Sequence, residues 1–366
     1  MQERRYLKQE LQRITSATTK VRRLGYFVLF SKILKNAPLP SLLLQNRIIE
    51  EESRNRKFLE DACRELAVKR IGSEIVTGEI SSKGHSKGAD AFKRYLNTAI
   101  EFGFLQEVAG RLNNTKRGEV LSALSENNAN PFKLSLAQKY WFFRVILDKD
   151  YDYTRTALIC SIQNGSDEEL KFFNMLQKLW LRKLAIGSFR SPTTYDDLKK
   201  AINTKWTAPK RYYFENVKAN RLEWFLDLTA IDFWNLKLNR VTVRDSLIAL
   251  LDSEEDNFSS FFMSHMKPLL SVSITYWKEL SRKERFAWLE KFLLQSFSLF
   301  TFSEALPKIS VNQVIEYSLS ILAESGIVCE IGEFESELER FVEAKGDKYR
   351  YVRTVSEADR GYSSKL

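Results

Sequence analysis

The stretch from residue 92 to residue 124 constrains the fold more than any other part of the chain. Within 92–102, Tyr95, Leu96, Ala99 and Ile100 recur three to four apart, so one face of a helix is apolar. Gly103 stands where that helix must stop, and glycine takes the left-handed conformation of a helix C-terminal cap without steric cost. Residues 104–108 then read as a strand, Gly110 as a turn and 111–113 as the returning strand. Thr115 is placed to cap a further helix with Val120, Leu121 and Leu124 on its apolar side. The order is helix, glycine stop, hairpin, helix.

Helical spacing dominates elsewhere too. Phe58, Ala62, Leu66 and Ala67 share one helical side, as do Phe172, Phe173, Leu176, Leu179 and Trp180, and again Trp288, Leu289, Phe292 and Leu293. Strand-like alternation is confined to short segments near turns. The fold class expected is mainly α with small β-hairpins. A length of 366 residues implies two or three domains, and 44% hydrophobic residues suffice for packed cores. Polar stretches at 125–131 and 251–257 are read as boundaries. The expected division is a basic N-terminal helical segment over 1–50, a first unit over 51–130, a second over 131–256 and a third over 257–366.

Cys63, Cys160 and Cys329 are odd in number and far apart, which excludes a disulfide framework or a CxxC zinc ribbon and suits a reducing cytoplasm. The apolar run 24–30 is too short to cross a bilayer, so no membrane partner is expected.

The opening order recurs twice. Residues 226–232 (LDLTAID) align by residue class with 100–106 (IEFGFLQ), with 236–242 as the returning strand and 243–248 as the closing helix. Ala230 stands where glycine would cap, so that helix must end differently. Residues 322–328 match more closely through Gly326, and 349–355 alternate like a strand. Together these segments resemble tandem units of the winged helix-turn-helix superfamily, joined by helical segments. The first unit carries the likeness best, in GFLQ and RLNNTKRGEVL.

That resemblance implies duplex DNA as partner, with the helix before the hairpin in the major groove and the hairpin on the backbone or minor groove. Charge agrees. The chain carries a net +10, with local excesses of +7 over residues 1–35 and +6 over 199–221. Such patches neutralise phosphates and release counterions, although a solvated basic face is the plainer reading. The phosphate contacts expected in the first unit are Lys83, Lys87, Lys93, Arg94, Arg111, Lys116 and Arg117. In the second they are Lys205, Lys210, Arg211 and Lys218, on a helix near 208–220 entered at Pro209, where Tyr212 and Tyr213 pack or stack. Glu333, Glu335, Glu337, Glu339 and Glu343 make the third unit acidic, so it is assigned to a protein partner or to self-association.

No catalytic pattern competes strongly. The chain has no GxxxxGK[ST], GxGxxG, GxSxG or HExxH sequence, and only two histidines, His85 and His265. No metal, cofactor or catalytic residue is expected. Glu343-Ala344-Lys345 before Asp347 is similar to a restriction-type nuclease pair, but such a pair belongs on a core strand and this one falls in a helical pattern. The function expected is non-enzymatic binding of duplex DNA within a regulatory, DNA-handling or defence assembly. The alternative is a protein-docking subunit of the kind found in condensin-like complexes.

Overall fold

The computed structural model describes residues 17, 21–35, 37–65, 87–125, 130–162, 211–228, 231–235, 240–243, 274–301, 308–352 and 361–364, with scattered positions between 172 and 200. These residues are mostly helical, with short strands in small sheets.

The first unit begins with α1 (Gly25–Ile33), β1 (Leu39–Pro40), α2 (Ser41–Arg54) and α3 (Arg56–Glu65). It continues with α4 (Lys87–Glu101), the hairpin β2 (Leu105–Val108) and β3 (Arg111–Asn114), and α5 (Lys116–Ala123). The expected boundary at residue 50 is therefore corrected, because it cuts α2. Two residues of β1 cannot announce themselves as a strand, yet Leu39 pairs with Leu112 and Pro40 with Arg111, which ties residues before 50 into the sheet. Helix α1 also belongs to the core of this unit. Its residues 25–31 are all buried, with Phe27 among the rings of Tyr95, Phe102 and Phe104.

The helix stop forms as expected. Gly103 has φ +76°, the Phe104 N–H donates to the Ala99 carbonyl at 2.8 Å and the Gly103 N–H to the Ile100 carbonyl at 3.0 Å. These two hydrogen bonds satisfy carbonyls that the helix end would otherwise leave open. Val108 pairs with Arg111, so the hairpin turns through Ala109 and Gly110 alone, at φ 51° and 73°. Both central residues lie in the left-handed region, which matches the twist of a two-residue hairpin. Thr115 caps α5, accepting the Gly118 N–H at 3.2 Å.

Next come α6 (Leu136–Ile162), α7 (Arg211–Asp227) and the hairpin β4 (Ile231–Asn235) and β5 (Arg240–Val243). Helix α6 breaks at Asp150 (φ −135°), whose carboxylate takes both Nε and Nη2 of Arg221 at 2.7 and 2.8 Å in a fully buried pair. The second unit thus has its helix and hairpin. The returning strand is described over Arg240–Val243, with Arg240 paired to Asn235; the expected start at Leu236 lies outside the described residues. The expected closing helix beyond Val243 and the boundary at 251–257 lie outside the described residues.

The third unit holds β6 (Thr275–Tyr276), α8 (Arg282–Phe300), β7 (Lys308–Ser310), α9 (Val311–Glu324), β8 (Ile327–Val328), α10 (Ile331–Ala344), β9 (Tyr349–Val352) and β10 (Gly361–Ser364). Its sheet order is β7-β10-β9, and that of the first unit is β1-β3-β2. In both, the last strand of the hairpin lies in the middle, beside a strand from before the helix that leads into the hairpin. By this order α10, not α9, corresponds to α4, which corrects the alignment of Gly326 with Gly103. Gly326 does cap a helix, at φ +74°, but any helix end can use such a glycine. Helix α9 is buried along most of its length, against α6 and α5.

Candidate nucleic-acid interface

Helix α4 turns Ala91, Phe92, Tyr95 and Ala99 into the core. Its outward face follows from what remains: Lys93, Arg94, Asn97 and Ile100 are exposed, with Lys93, Asn97 and Ile100 in one stripe at spacings of four and three. Arg94 Nε lies 3.6 Å from the Asp90 carboxylate one turn earlier, a solvent-exposed pair that leaves the guanidinium accessible. The hairpin follows directly. Arg111 is exposed on the sheet face away from the core, in one row with Pro40 and Val108, and Lys116 is exposed at the start of α5.

Two expected contacts are corrected. Arg117 does not reach outward: its Nη2 lies 3.1 Å from Glu316 Oε1 and its Nη1 3.2 Å from Asp148 Oδ2. Glu316 also accepts the Trp141 indole N–H at 3.1 Å. Arg117 therefore joins the first unit to α9 of the third. Beside it, the Gln313 amide donates to Glu119, whose carboxyl burial holds above its ordinary range. Lys218 is 3% exposed, because its turn of α7 packs toward α6. Lys87 and Arg211 begin α4 and α7, and their side chains, like Lys83, Lys205, Lys210, Tyr212 and Tyr213, lie outside the described residues.

Sequence reasoning missed Asn97, although its spacing from Lys93 was there to read. It also missed an exposed apolar patch of Pro40, Leu42, Leu43 and Val108, with Leu42 71% exposed. That patch has no sequence signal, since it exists only because β1 brings the start of α2 beside the hairpin tip.

On α10, Phe334, Leu338 and Phe341 face inward, leaving Ser336, Glu339, Arg340 and Glu343 exposed. Partial burial, then Glu337 and Glu330, hold the Glu333 carboxyl above its ordinary range. Glu343 lies on this exposed helix and Asp347 in the turn after it, so the pair is not on a core strand. Among the described residues no group of three His, Cys, Asp or Glu side chains is arranged to hold a metal ion, and no helix is long and apolar enough to cross a membrane. Cys160 and Cys329 are buried thiols; His85 and His265 lie outside the described residues. Comparison with family models, curated proteins and solved structures finds no match.

Proposed function

We propose that the chain binds duplex DNA without enzymatic chemistry, through the first unit acting as a winged helix. One observation carries this reading: Lys93, Arg94 and Asn97 share the exposed face of the helix directly before a hairpin that bears Arg111. Cations position a helix on phosphates, and an asparagine on the same face reads base edges. The net charge of +10 favours the same polyanion. The third unit, with acidic α10 outward, is assigned to a protein partner or a second copy.

Fluorescence anisotropy with random-sequence duplex at two salt concentrations tests the reading. Lys93→Glu with Arg94→Glu is expected to weaken binding at least about tenfold and to flatten its salt dependence. Lys116→Glu should do so by less. Unchanged affinity in the double variant overturns the reading.

A protein-docking role is the second reading, favoured by the exposed patch of Pro40, Leu42, Leu43 and Val108. Binding that survives high salt and is lost in Leu42→Asp selects it.

A further inference from the structure

Two stripes of the third unit carry opposite charge at the same spacing. On α8, Lys283, Ala287, Lys291 and Leu294 are all exposed at intervals of four, four and three, with Leu294 49% exposed. On α10, read back from its end, Glu343, Glu339, Glu335 and Gly332 follow the same intervals, Glu335 half-buried and the others exposed. Within one copy the stripes do not meet. The two helices touch through other residues, Phe286 edge-on to Phe341 and Arg285 Nε 2.9 Å from Glu337. Among the described residues none of Lys283, Lys291, Glu339 and Glu343 is in an ion pair, and Lys291 lies over the Trp288 ring at 4.6 Å. Beside the α8 stripe, Glu284 is held by Ser281 and Glu290 lies 3.5 Å from Lys348. Arg340 follows Glu339 directly and so stands off the α10 stripe. Each stripe also opposes its own helix. Arg282 and Lys283 put positive charge in the first turn of α8, and Glu343 puts negative charge in the last turn of α10, each at the end where the helix dipole disfavours it. Glu335, Glu339 and Glu343 repel one another along one side, and Gly332 weakens the first turn. None of these choices helps the unit fold.

We propose that α8 of one copy packs antiparallel on α10 of a second copy. The matched intervals fix the register, with Lys283 on Glu343 and Lys291 on Glu335, the paired charges about 12 Å apart along each helix. Leu294 then lies over Gly332, where an added Cβ meets nothing within 4 Å. Ala287 leaves room for Glu339 between the two lysines. The positive start of α8 lies beside the negative end of α10, so dipoles and side chains favour the same direction. Rows of residues four apart pack along one another in the commonest helix–helix geometry. Each copy offers one stripe of each kind, so the contact either closes reciprocally into a two-fold dimer or runs on from copy to copy. A single helix pair buries less than a standard interface, which makes the association weak and salt-sensitive. This inference deepens the assignment of α10 to a protein partner or a second copy and does not depend on the nucleic-acid reading.

Sedimentation velocity of the full chain over a concentration series tests it. Average mass should rise with concentration at low salt and return toward that of one chain at high salt. Lys283→Glu and Glu343→Lys each suit their own helix end, so both variants should fold, and each should weaken association at least about tenfold. Combined in one chain they should restore it, whereas Lys283→Glu with Glu335→Lys mispairs the register and should not. Gly332→Gln, at an open helical position, should weaken association by blocking Leu294. A chain that stays single at every concentration, or a rescue by Glu335→Lys as good as that by Glu343→Lys, overturns the pairing. Duplex anisotropy on the same variants keeps the two readings apart. Unchanged duplex affinity is expected; a loss of it in Lys283→Glu with no change in mass makes α8 a nucleic-acid face and overturns the pairing.

Discussion

Helices α4 and α10 each lead into the hairpin of a three-stranded sheet with the same strand order, and they face solvent with opposite charge. In each, the last strand of the hairpin lies between its hairpin partner and an earlier strand, β1 in one and β7 in the other. Inward, each repeats apolar side chains: Phe92, Tyr95 and Ala99 in one, Phe334, Leu338 and Phe341 in the other. Outward, Lys93, Arg94 and Asn97 stand against Glu339, Arg340 and Glu343. The inward residues decide strand order because burial of about 1.5–3 kcal/mol per large side chain depends on how the elements stack. The outward residues contribute little to folding and are free to set the partner. Shared strand order thus coexists with different surface charge.

The comparison treats the two units as joined but separately built, and the largest expected effect breaks the join. Glu316→Ala takes one of two carboxylates from Arg117, leaves the buried Trp141 indole N–H without this acceptor and should cost about 2 kcal/mol in urea unfolding. A loss under about 1 kcal/mol means that the units hold together without this group. Next, Gly118→Ala puts a Cβ 2.2 Å from the Phe104 carbonyl, where α5 crosses the hairpin. It should destabilise by about 2 kcal/mol, since backbone must shift. Gly103→Ala and Gly326→Ala compare the stops of α4 and α9: with φ at +76° and +74°, each should cost about 1 kcal/mol. Unequal losses, with one near zero, show that the two helix ends are not equivalent. The smallest effect is at the hairpin tip, where Ala109→Gly relieves a left-handed alanine and should stabilise by about 0.5 kcal/mol.

The parts of the first unit that were legible are those set by neighbours in the chain. A glycine stop, a two-residue turn and a threonine cap each act over a few residues, so Gly103, Ala109-Gly110 and Thr115 could be located without tertiary information. The third unit was misaligned for the same reason: a glycine cap marks a helix end without saying which helix it ends. Arg117 and Lys116 show the limit most sharply. Adjacent, and both basic, they are indistinguishable as letters, yet one is exposed and the other bonds to Glu316 across 199 positions. Lys218 reads as basic surface but lies buried beside the Arg221–Asp150 pair.

Local sequence determined that this chain makes amphipathic helices with small hairpins, where several of them stop, and that α10 is acidic. Those properties depend on backbone sterics and residue spacing over a turn or two. Strand order, the tie of β1 to the first unit, the contacts of Arg22 and Arg23 with α7 and the choice of which cations face solvent were decided only by tertiary structure. Each pairs groups about 70 to 200 residues apart, and the free energy of such a pairing depends on burial that no single segment contains.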